Sequence, residues 1–200
     1  MKSILNTLFT LLLFIPLANA QKKQIKEAQK ELKAGNSEQV IAILTPVEYL
    51  ISNASNEDRI QFYYTKGVAL VNLANQNINT AKNLSQAVIA FSDLIEVENE
   101  SNQIKYTSEA FEALEKIKDG LVNSANEDLE VANFTESSSK FYQAYLIDKK
   151  DTLQLYNAAV SYKSANENVL ALKCYEELKT INYSGNIEMY VAYSKSKLKD

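Results

Sequence analysis

Between Asp151 and Gly185 two runs of apolar residues recur at helical spacing, and part of the same pattern lies about 34 residues upstream. In the first run Leu155, Ala158, Ala159 and Tyr162 share one face of a helix. Ser164 to Asn168 forms a polar corner, and Leu170, Ala171, Cys174, Tyr175 and Leu178 make the apolar stripe of a second helix. The upstream copy uses Leu121, Ala125, Ser137, Phe141 and Ala144; the pairs Ser137/Ala171, Phe141/Tyr175 and Ala144/Leu178 are all separated by that same interval. An ordinary helical bundle with chance spacing is the alternative, and three agreeing offsets with matching residue classes weigh against it. Ala159 and Ala171 stand where two helices must approach closely, and a larger side chain there would overpack the contact at about 1–3 kcal/mol. Tyr162 and Tyr175 fill the space beside them. Asp151-Thr152 predicts an N-terminal cap, since a short oxygen acceptor satisfies free first-turn amides. Gly185 predicts the C-terminal stop, because glycine enters the left-handed region without a Cβ penalty.

Small-then-aromatic in the first helix (Ala158, Ala159, Tyr162) and Ala, aromatic, apolar in the second (Ala171, Tyr175, Leu178) resembles the tetratricopeptide repeat. That family often closes its repeat with Pro, and this chain departs from it with Tyr183. The resemblance implies an all-α protein, a right-handed α-solenoid of about four helix–turn–helix repeats following a signal peptide. The repeats would span about 21–55, 57–98, 118–151 and 152–185. Residues 186–200 suit a capping helix through Ile187, Tyr190, Val191 and Ser194, although Tyr190 to Tyr193 suits an extended segment equally well. First helices of this family line a concave face that binds extended peptides. Carried over by resemblance, the outward residues of that face are Tyr64, Asn123, Asn126, Tyr156, Asn157 and Lys163. The Lys/Asn set with which some members clamp a terminal carboxylate is not recognisable.

Met1 to Ala20 reads as a secretory signal peptide: Lys2 opens it, Ile4 to Leu17 is mostly apolar, and Ala18-Asn19-Ala20 is a small-residue cleavage site. The apolar run falls short of the roughly 20 residues a membrane span needs. No Cys follows it for lipid attachment. An exported chain, periplasmic or secreted and cleaved after Ala20, is therefore expected, with an uncleaved anchor as the alternative. Cleavage would remove one lysine and no acid, taking the net charge from −4 to −5. That balance disfavours a nucleic-acid surface, which relies on clustered cations.

The first repeat is degenerate: Ile25, Ala28, Gln29 and Leu32, a Gly35-Asn36 corner, then Val40, Ile41, Leu44 and Val47. Pro46 should kink or end its second helix, with Val47 to Ile51 as one further turn. Lys22, Lys23, Lys26, Lys30 and Lys33 form a basic face, read as the solvated side of a terminal helix in preference to an anionic-ligand site. In the second repeat Tyr63, Lys66, Gly67 and Leu70 match the first helix, with Gly67 at the close-approach position. Ala87, Phe91 and Leu94 match the second. Asn75 to Asn83 lengthens the corner between them, as loop or as extra helical turns. Glu98 to Asn102 is polar and marks a break. Phe111, Leu114, Ile117, Leu121, Ala125, Leu129 and Ala132 then predict one helix from about Gln103 to Val131, with Gly120 inside it.

The sequence holds no His, the commonest general base and metal ligand. Its four glycines form no phosphate loop, and no Ser or Cys stands in a nucleophile motif. The single Cys174 permits no internal disulfide and reads as a packed thiol. Glu57-Asp58, Glu127-Asp128 and Glu176-Glu177 are adjacent in sequence and diverge on a helix, so they read as solvated faces. Asp151-Thr152-Leu153 resembles an O-glycosylation motif of some exported bacterial proteins, with helix capping the stronger reading. No catalysis, no cofactor and no metal is expected. The function expected is an exported scaffold or adaptor holding a protein or peptide partner. The alternatives are a glycan- or cell-wall-binding accessory protein using exposed tyrosines, which the lack of Trp weakens, or the helical part of a longer exported protein.

Overall fold

The structure, a computed structural model, describes residues 21–181, 183 and 187–198. The signal peptide expected over Met1–Ala20, and Gly185 with its expected helix stop, lie outside the described residues. The chain divides into two compact units, Met1–Glu112 and Ala113–Asp200. Every described regular element is helical, and consecutive elements pack within each unit.

The first unit begins with α1 over residues 21–33, then α2 (Ser37–Leu44). Gly35 joins them at φ +83°, a conformation that costs glycine least. As Pro46 predicts, α2 stops at Leu44; the chain continues as a 3-10 segment, Thr45–Asn53, with Pro in its first turn where a missing N–H is harmless. Ile25, Ala28, Val40, Leu44, Val47 and Ile51 are buried in one cluster with Phe62 and Ala69 of α3. The long pair α3 (Asn56–Asn75) and α4 (Thr80–Ser101) follows. Their 20 and 22 residues, against 13 each in the later pair, show that the Asn75–Asn83 excess is mostly helix, with a short corner. Asn77 and Asn79 turn that corner in the left-handed region. Ser55 caps α3 by accepting from the Asp58 amide at 3.2 Å. Gly67 lies against Phe91: a Cβ there would stand 2.7 Å from the ring, the close approach expected of it.

α5 (Thr107–Glu130) carries the chain from the first unit into the second. It is shorter at both ends than the predicted 103–131 helix. Ala132 is not helical but left-handed at φ 57°, and Phe111 and Leu129 are exposed, so neither belongs to the buried face. That face is Ala110, Leu114, Ile117 and Ala125.

The second unit continues with α6 (Phe134–Ile147), α7 (Thr152–Ser164), α8 (Asn168–Thr180) and α9 (Ile187–Lys197). Of the two expectations for residues 186–200, the described part is a helix. The sequence period reappears here in backbone geometry. Ala132 and Asn166, one such interval apart, take φ 57° and 61°. The amide after each turns back five residues to a carbonyl, Asn133 to Asp128 at 2.8 Å and Glu167 to Tyr162 at 2.9 Å. Such a bond satisfies a carbonyl the helix end leaves free. Ser137, Phe141 and Ala144 are buried, as are Ala171, Tyr175 and Leu178. Leu170, placed in that stripe by sequence, is exposed: it falls at the edge of the row that Ala171, Tyr175 and Leu178 bury. Asp151 does precede α7, yet its side chain makes no cap bond; it accepts from Gln154 Nε2 at 3.3 Å. The adjacent acids diverge as expected, but they are not merely solvated. Glu176 pairs with Lys195 at 2.9 Å, Glu177 accepts from the Tyr145 hydroxyl at 2.7 Å, and Asp128 pairs with Lys140.

Candidate functional site

The first unit contains a cleft of about 550 Å³ between α1, α3 and the α4–α5 connection. One wall is α1, which presents Lys22, Lys26 and Lys33 to it; Lys23 and Lys30 of the same helix are not part of the lining. The basic face read as solvated is thus divided, three lysines over a cleft and two away from it. The opposite wall is α3, contributing Glu57 and Asp58 from its first turn, then Gln61, Tyr64 and Thr65. Lys105 and Tyr106 close the cleft from the connection.

These side chains are held from behind. Gln61 Oε1 accepts from Gln29 Nε2 across the cleft, and the Tyr106 hydroxyl reaches the same oxygen at 3.4 Å. Tyr64 stacks on Tyr106 with centroids 3.8 Å apart and planes 13° apart. Lys105 lays its ammonium 5.0 Å from the Tyr106 ring, a favourable cation–π distance. Burial, then the Glu109 charge, raises the Tyr64 phenol above its ordinary value. Asp58 is engaged by the Ser55 hydroxyl at 2.7 Å, which ties this acid to the helix cap.

Glu98 fixes the connection itself. Its side chain is wholly buried, and its carboxylate accepts from the Tyr106 amide at 2.8 Å, the Thr107 amide at 2.9 Å and the Thr107 hydroxyl at 2.7 Å. Burial alone would push this carboxyl up; the bonds from Thr107 and the backbone amides outweigh it and hold the pKa below the usual 4.5. A carboxylate from the last turn of α4 therefore caps α5 and sets Lys105 and Tyr106 at the cleft. In sequence Glu98 shows only as part of a polar break.

Of the six residues assigned by resemblance, Tyr64 lines this cleft. The other five belong to the second unit. Asn123 and Asn126 on α5 are exposed. Tyr156, Asn157 and Lys163 on α7 are half-buried. Tyr156 stacks on Tyr183 at 5.6 Å and meets Tyr190 of α9 edge-on at 6.4 Å. A hydrogen bond with Tyr190, then burial, raises its phenol. Tyr190 also stacks on Tyr175 at 5.1 Å. Lys163 sits 5.2 Å over Tyr190 and 4.6 Å over Tyr193. So Tyr156 and Lys163 come together through α9, which takes up ring faces and charge on that side of α7.

Among the described residues no three His, Cys, Asp or Glu side chains converge as a metal site requires, and no helix is long and apolar enough to cross a membrane. Cys174 is buried, and burial, with Glu177 adding to it, pushes its thiol up to about 12. No protein-family model matches the chain, and a search of curated proteins finds no match.

Proposed function

We propose that this chain is an exported, non-catalytic scaffold of tetratricopeptide style that holds a protein partner in the periplasm or at the cell envelope. The observation that carries the reading is the pair of helix corners around Ala132 and Asn166, alike in backbone geometry and one repeat interval apart, with matching buried positions on the helices that follow. A helix pair of this kind cannot bury its apolar stripe alone, so neighbouring pairs stack and leave a surface for binding extended segments. The glycan alternative needs tyrosine faces free for sugar rings. Tyr156, Tyr175, Tyr183 and Tyr190 spend ring faces on one another, which favours the protein partner.

The test is affinity capture of the tagged protein from its native envelope, followed by mass spectrometry of what co-purifies. A single dominant protein, lost in an Asn123→Arg/Asn126→Arg double variant whose circular dichroism and melting curve match wild type, is the expected result. Recovery of wall polymer in place of protein would overturn the reading.

A further inference from the structure

We infer that the cleft between α1, α3 and the α4–α5 connection receives an acidic, extended segment of the partner protein, an inference that rests on the scaffold reading above. Charge is the first argument. The chain as a whole is acidic at −4, yet the cleft gathers Lys22, Lys26, Lys33 and Lys105 against Glu57 and Asp58. None of these four lysines forms an ion pair among the described residues, whereas Lys66, Lys118 and Lys140 each do. Asp58 is tied to the Ser55 hydroxyl, and Glu57 sits in the first turn of α3, where the helix dipole favours a carboxylate. Asp58 is thus tied to the helix cap, and the four lysines outnumber the two acids of the lining.

Shape is the second argument. Lys22, Lys26 and Lys33 lie along one side of α1, and eleven residues of helix span about 16 Å. An extended chain covers that distance in about five residues at roughly 3.3 Å each. A row of lysines over that length matches a row of side-chain carboxylates better than one compact anion. Tyr64 and Tyr106 spend a ring face on each other, so the cleft offers little free plate for a sugar. The net charge of −4 disfavours a long polyanion such as nucleic acid.

The experiment measures fluorescence anisotropy of a labelled eight-residue polyglutamate peptide on the purified protein, with a polyglutamine peptide of equal length as control. Polyglutamate is expected to bind and polyglutamine to bind at least tenfold more weakly. Lys22→Glu/Lys26→Glu should weaken polyglutamate binding at least tenfold, while Lys23→Glu/Lys30→Glu, reversing charges on the same helix outside the cleft, should change it less than twofold. All four side chains are exposed, so neither variant disturbs packing. Equal loss in both double variants, equal binding of the two peptides, or displacement by equimolar inorganic phosphate would overturn the assignment. Envelope capture separates this from the scaffold reading. A partner retained by Lys22→Glu/Lys26→Glu removes the cleft and leaves the scaffold; polyglutamate binding where only wall polymer is captured removes the scaffold and leaves the cleft.

Discussion

At Gly67 the lack of a methyl group sets how closely α3 and α4 pack. An added Cβ would stand 2.7 Å from Cε1 and 2.9 Å from Cζ of Phe91, whose ring is itself buried. Gly67→Ala should therefore destabilise the protein by about 1–3 kcal/mol, read as a lower urea midpoint. Gly120 is the opposite case. It sits inside α5 with nothing within 4 Å of its missing Cβ, so Gly120→Ala should stabilise by about 0.5–1 kcal/mol through helix propensity alone. Both were legible at the residue scale, since a glycine among small and aromatic residues implies close approach and one in a solvated stretch implies only a penalty. Cys174 makes a third prediction. Its thiol is buried and raised to about 12, so an alkylating reagent at pH 8 should label it only after unfolding. Labelling of the native protein at the rate of the denatured one would contradict the buried placement.

At the scale of elements, α5 depends on a carboxylate from the helix before it. Glu98→Ala leaves the Tyr106 and Thr107 amides and the Thr107 hydroxyl without their acceptor, and an unmet buried group costs about 1–3 kcal/mol. Glu98→Gln keeps one acceptor oxygen and should lose less. Because the folded pKa is depressed, this stabilisation is complete above the ordinary carboxylate value of 4.5 and is lost as pH falls through the lower folded value. Urea midpoints from pH 7 down to 3 should fall more steeply for wild type than for Glu98→Gln. This cap was invisible in sequence because its acceptor lies well upstream of Thr107, outside the span in which helix-start signals are sought. For the same reason the helix expected from about Gln103 starts only at Thr107; Asp151, a cap residue by type, makes no cap bond. The corners were easier: Gly35, Asn77, Asn102 and Asn166 each take positive φ, as the residue types favoured there suggest. Ala132 breaks that pattern, and only its position one repeat interval before Asn166 gives a reason for its φ of 57°.

At the scale of the molecule, the helical architecture was legible because the small and aromatic positions that recur at the repeat interval are the ones that end up buried. The cleft was not, although its lysines are visible in sequence as a basic face. A basic stripe on one helix looks alike whether it borders solvent or faces α3 and the α4–α5 connection; helical spacing groups Lys22, Lys26 and Lys33, and only the fold shows that they line the cleft. Tyr64 stands at a first-helix position by resemblance, but its stacking on Tyr106, which lies beyond the whole of α4 in sequence, has no local signature. The measurement that tests the account most directly places a photo-crosslinking amino acid at Lys26 or at Lys30 in the living source cell. A scaffold whose partner seats an acidic segment in the cleft gives one dominant protein adduct from position 26 and little or none from position 30. The same adducts from both positions, or protein adducts from position 30 alone, would contradict it.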